Sequence, residues 1–246
     1  MTPGRDTALE FGNVKASLEF LIGVSASSAS AGCWVLYFRW KDKQRPEPWW
    51  MLVAAIAGGL VSVPAGWGAY GVLEHLGYRA EWEVLQSPSL ATSLWGALVI
   101  GGLEESLKLL PVVLIAVASK HFDELLDGLV YAPVVAIGFA TAESWALFSA
   151  GGSSWPELVA RTAAAPLSHA ILAAPAGYGA AVAVLQKRWW ALPAGLGVTV
   201  AAHAGYDWFL ARPTFGNTAA ALLILALWIW VIRAAPKLAA TGHVER

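Results

Sequence analysis

Read from its start, the chain alternates between long apolar runs and short polar breaks. The runs cover residues 17–38, 50–73, 91–119, 126–148, 157–185, 189–210 and 217–234. Each is close to or beyond the roughly 20 residues that a helix needs to cross a bilayer. The breaks collect Lys, Arg, acids and Trp, as in FRWKDKQRPEPWW at 38–50. This pattern predicts an all-α polytopic membrane protein of about seven transmembrane helices, seven to eight. It forms a single transmembrane domain over 1–246 with short polar tails. The third and fifth runs are long enough to tilt or protrude. Pro64, Pro111, Pro166 and Pro175 fall inside runs and predict kinks, tolerable where neighbours satisfy the freed carbonyls. Small residues in SASSASAG (25–32) and AAIAGG (54–59) predict close helix approach.

Composition agrees with the pattern. Of 246 residues, 57% are hydrophobic and 13% charged, where a soluble domain carries about 25% charge. The net charge of −1 gives no basic field for a nucleic acid. The lone cysteine, Cys33, excludes an internal disulfide and a Cys-based zinc cluster, and reads as a small packing residue. The opening MTPGRDTALEFGNVK lacks the layout of a cleaved signal peptide.

Basic residues give the orientation. Arg39, Lys41, Lys43, Arg45, Lys120, Lys187, Arg188, Arg233, Lys237 and Arg246 fall on one side, and Arg5, Lys15, Arg79, Arg161 and Arg212 on the other. The first side is the cytoplasm, so the N-terminus lies outside and the C-terminus inside. The expected location is the cell inner (cytoplasmic) membrane. Trp40, Trp49, Trp50, Trp189 and Trp190 suit the inner interface, and Trp82, Trp155 and Trp208 the outer one.

Against this apolar background a few ionisable residues stand out. The third run holds Glu104, Glu105 and Lys108; the fourth, Glu143; the fifth, His169; the sixth, His203 and Asp207. Each charge costs about 2.5 to 3.5 kcal/mol at a helix centre on insertion scales. Asp207 follows His203 by one helical turn, on the same face. All lie roughly 3 to 13 residues from the outer ends of their runs, so at about 1.5 Å per residue they share the outer half of the bilayer. A lone intramembrane His is more often a hydrogen-bond partner than a ligand, and Lys108 with either Glu makes a structural ion pair. Four helices delivering carboxylates and imidazoles to one depth instead point to a buried polar site. Asp127 reads as an acid at a helix N-terminus, and Tyr178 and Tyr206 as packing groups.

These pieces resemble, in order, the motifs of the PrsW family of membrane proteases, distant relatives of the CAAX prenyl proteases. They are EPWW (47–50), EESLK (104–108) as Glu-Glu-x-x-Lys, DGLVYA (127–132), FATAE (139–143), His169 with GYGA (177–180), and HAGYD (203–207) as His-x-x-x-Asp. The match runs over about 37–210. Ser144 stands where an Asn commonly follows the Glu, and Ala132 where a Gly is usual. The resemblance implies an intramembrane endopeptidase acting on a membrane-anchored protein or peptide, with site-1 cleavage of an anti-sigma factor as the family's best-known role.

Peptide hydrolysis needs an activated water, a stabilised oxyanion and a proton for the leaving amine. Glu104 is the expected base, with Glu105 as its partner, Lys108 in support, and His203 and Asp207 polarising the scissile carbonyl. Two versions stand side by side. In one, His169, His203 and one or two of Glu104 and Glu143 bind Zn²⁺, which activates the water. In the other there is no metal, and Glu104 with Glu143 activates water directly. There is no HExxH motif to choose between them. A proton-coupled transporter also gathers such residues, though without the paired broken repeats usual there, and a membrane scaffold is a third class. The sequence does not give the oligomeric state.

Overall fold

The computed structural model describes residues 4–43, 45–79, 81–150 and 154–239, with side chains described from 17 to 238. The orientation charges Arg5, Lys15 and Arg246 lie outside these side chains. Among the described residues there are only helices. They are α1 (Gly4–Lys41), α2 (Trp49–His75), α3 (Trp82–Leu85), α4 (Leu90–Ala118), α5 (Leu125–Ala150), α6 (Trp155–Leu185), α7 (Ala191–Leu210) and α8 (Gly216–Ala239).

The seven long helices fall on the seven apolar runs. α1 starts well before the run it contains, at Gly4. The short α3 has no counterpart in the pattern: four residues are too few to show a periodicity. Five of the helices are long and apolar enough to cross a membrane by length and composition. α4 and α7, of 29 and 20 residues, fall short of that apolarity and carry two of the densest groups of ionisable residues.

Burial sorts the helices. α5 and α6 are 94% and 89% buried over their most apolar stretches, while α1 and α8 are 17% and 11% buried and face outward. Cys33, expected to pack, is exposed on α1: most of that helix is not covered by other helices. The core pair touches through glycine. A methyl on Gly128 would overlap the Gly177 carbonyl, and one on Gly177 the Gly128 carbonyl. AAIAGG behaves as expected, for a methyl on Gly59 would overlap the Val135 carbonyl. SASSASAG does so less, since Gly32 has open space around its Cα.

Serines begin two of the site-bearing helices. Ser89 Oγ accepts the Thr92 N–H at 3.3 Å at the start of α4, and Ser154 accepts that of Glu157 at the start of α6. Near the α4 start, buried Ser93 accepts hydrogen bonds from Trp208 Nε1 (3.0 Å) and Arg212 Nη2 (2.8 Å), tying α7 to α4. Leu85 of α3 is fully buried beside Ala97, Ile100 and Ala204, with Tyr70 packed on them. These contacts close the end of the bundle formed by α3 and the start of α4, above the polar site.

Candidate active site

The ionisable residues of four helices meet. The His169 and His203 rings, from α6 and α7, lie 5.5 Å apart between centroids at an interplanar angle of 86°. Glu104 of α4 joins them: Glu104, His169 and His203 each offer a ligand atom, all within 4.8 Å of one another. Glu104 falls at the midpoint of α4, because that helix is long. Glu143 and Asp207 lie closer to the C-terminal ends of α5 and α7.

Each imidazole is held from more than one side. His203 Nδ1 donates to Glu105 Oε1 at 2.6 Å, which directs Nε2 toward Asp207 Oδ2 (3.3 Å) and Glu104 Oε2 (3.8 Å). A carboxylate on one ring nitrogen fixes the tautomer and leaves the other nitrogen free as a ligand. His169 Nδ1 accepts from Lys108 Nζ at 3.1 Å, and its Nε2 lies 3.3 Å from Glu143 Oε2.

Lys108 stands in the middle. Its Nζ donates to Glu104 Oε2 at 3.2 Å and to Glu105 Oε1 at 2.8 Å. Both acids of EESLK thus reach one ammonium, although they point about 100° apart on the helix. The Phe139 ring lies 4.1 Å from the same Nζ. Lys108 and Glu105 are almost fully buried, at 2% and 1% exposure.

Three contributors have no signal in the apolar pattern. Tyr70 of α2 donates its hydroxyl to Glu104 Oε1 at 3.3 Å. Phe139 underlies the ammonium. Arg161 of α6 places Nη1 3.1 Å from Glu143 Oε1, both side chains about one-third exposed, so this pair marks the open side of the site. Arg161 could have been found: it precedes His169 by about two helical turns and so shares its face.

A second buried polar group gathers toward the other end of the bundle, where the α1–α2 connection meets the start of α5. Asp42, Glu47, Glu124 and Asp127 are all buried, with Tyr131. Tyr131 donates its hydroxyl to Glu47 Oε2. The nearby Asp127 carboxyl also disfavours a charge on Glu47. Asp127 Oδ2 accepts the Asp123 and Glu124 N–H groups, each at 2.7 Å, at the start of α5, the N-terminal role expected of it. Arg45 reaches Glu124 at 3.3 Å, while Arg39 Nε donates to the Glu47 backbone carbonyl. Burial, with Asp127 and Glu124 nearby, pushes the Asp42 carboxyl up to about 7. Burial pushes Glu47 up to about 9, against the hydrogen bond from Tyr131. EPWW and DGLVYA therefore build this second cluster and not the site.

The family model described as PrsW family intramembrane metalloprotease matches residues 46–233. The chain is 30% identical over 213 residues to Protease PrsW of Geobacillus kaustophilus, covering 85% of this chain and 89% of that one. It is 32% identical over 121 residues to Protease PrsW of Bacillus subtilis, covering 49% and 51%. No solved structure matches. These matches set aside the transporter and the scaffold.

Proposed function

The chain belongs to the PrsW family of intramembrane metalloproteases, and from that premise we propose that Glu104, His169 and His203 hold a zinc ion while Glu143 acts as the general base. The substrate is a membrane-embedded protein. We place the cut toward the external face of the cytoplasmic membrane, with the N-terminus outside, on the Lys/Arg asymmetry. The substrate class is a membrane-anchored regulator of the anti-sigma-factor kind.

The observation that carries this reading is the convergence of two imidazole nitrogens and a carboxylate oxygen within 4.8 Å, buried among four helices. That donor set fits zinc, which takes His nitrogen and carboxylate oxygen and in catalytic sites keeps a position open. Zinc bound there would supply an acidified water and a polarised carbonyl. The protein's own groups do the rest. Glu143 stands on the open side with one oxygen oriented by Arg161 and the other beside His169; it takes the water proton and returns it to the leaving amine. Glu105 and Asp207 hold the His203 ring from two sides. Tyr70 fixes Glu104 by its free oxygen. Burial strengthens the contact between Glu105 and His203 by excluding solvent.

The metal-free version keeps Glu104 as base, with Glu143 as its partner. The contact of Lys108 with Glu104 favours it, since an ammonium there already balances the carboxylate.

One experiment separates the two. Purified full-length protein and its Glu104→Gln variant are tested on a transmembrane substrate, with metal content measured alongside. The metal reading expects about one zinc per active chain, loss of both zinc and cleavage in the variant, and inhibition by a chelator. Cleavage by metal-free protein that no chelator affects would sink it in favour of the second reading.

A further inference from the structure

Lys108 touches residues that a metal would also need. Its ammonium contacts Glu104 Oε2, Glu105 Oε1 and His169 Nδ1 at 3.2, 2.8 and 3.1 Å, over the face of Phe139. Glu104 and His169 are also two of the three residues whose ligand atoms converge. Each lone pair that accepts from the ammonium is lost to coordination. A zinc ion sits about 2.0 to 2.2 Å from its ligands, so one bound to those two head groups would stand close to Nζ. A dication and an ammonium at such range in a buried site repel strongly.

From these contacts we propose that Lys108 is an internal cation that competes with the metal for Glu104 and His169. Metal loading then shifts the ammonium onto Glu105 alone. The inference rests on the metal reading above. Glu105 suits the parking position: it is nearly fully buried, already holds Nζ at 2.8 Å and is absent from the converging trio. Metal-free protein keeps its buried carboxylates neutralised by Lys108, so the empty site stays folded. Metal affinity is correspondingly weaker than the three ligands alone would give.

The test is a zinc titration of full-length protein in detergent against a fluorescent competing chelator, which reads the zinc Kd directly. Lys108→Met should bind zinc about tenfold tighter or more, because it removes the like charge. That variant leaves buried carboxylates uncompensated and can fail to fold. Phe139→Leu then decides: it removes the ring beneath the ammonium and no ligand. A cation–π contact of ordinary strength corresponds to about two- to fivefold tighter zinc. If folded Lys108→Met binds zinc no tighter than wild type, the inference is overturned and the metal reading stands. The same holds if Lys108→Met does not fold and Phe139→Leu is unchanged or weaker. Absence of zinc binding in wild type and variants alike overturns both.

Discussion

The protein buries two separate polar clusters in one apolar bundle, and they handle charge differently. The cluster around His169 and His203 answers carboxylates with cations. Glu104, Glu105 and Glu143 meet Lys108 and Arg161, with His169 and His203 between them. The Glu47 cluster has four carboxyl groups and a phenol. Among the described residues its direct side-chain ion pair is with Arg45, itself 56% exposed. There burial and neighbouring acids favour the neutral, protonated forms of Asp42 and Glu47. On the proposed roles, the acids that react keep fixed counter-charges, and those that only join the α1–α2 connection to the start of α5 can stay neutral.

The largest test of this contrast is loss of the reacting group. Glu143→Gln should lower cleavage by about 10² to 10⁴-fold while keeping zinc content and melting temperature, whereas a matching Glu47→Gln should leave the cleavage rate near wild type. A gel assay on a transmembrane substrate compares the two. If Glu47→Gln is the more damaging, the assignment of roles is reversed.

Next comes the brittleness of the ion-paired cluster. Removing one member of a buried pair costs about 3 to 5 kcal/mol, because the partner charge is left alone. Lys108→Ala should therefore lower the thermal stability of metal-free protein sharply in a detergent melt, and Glu105→Gln with Lys108→Met together should restore much of it.

The Glu47 cluster should instead respond to pH. Its acids are raised in the folded state from 3.8 to about 7 for Asp42 and from 4.5 to about 9 for Glu47. The fold thus favours the neutral forms. Their contribution is fully present below the unfolded values and is lost as pH rises through about 7 and then about 9. Melting temperature should fall across that window, and Glu47→Gln should flatten the upper part of the fall. A wild-type melt that is level from about pH 6 to about pH 9.5 would contradict raised Asp42 and Glu47 carboxyls.

The smallest effect belongs to Tyr131→Phe. It removes one hydroxyl from Glu47 and should cost about 1 kcal/mol, seen as a modest shift in the same melts.

The two clusters also show what the sequence could and could not say. Apolar run length placed all seven long helices, since crossing a bilayer demands it. Depth along those runs brought Glu104, Glu105, Glu143, His169, His203 and Asp207 to one place. Rotation was not legible. That Lys108 reaches across to His169, or Tyr70 to Glu104, depends on how helices turn against one another, which contacts such as Gly128 on Gly177 set. Arg161 counted as an orientation charge near a helix start, and that sufficient explanation hid its place beside Glu143. EPWW and DGLVYA were motifs without an address: residues 84 positions apart, Glu47 and Tyr131, meet only in the fold.

The order of the site along the chain bears on how such an enzyme is made. Synthesis runs from the N-terminus and early segments organise first. Glu104 and Glu143 enter the membrane on α4 and α5, whereas His169 and His203 follow on α6 and α7. A partly made chain holds acids without imidazoles and so has no complete hydrolytic set. On the proposed assignment, the hydrolytic set is complete only once α7 has been inserted.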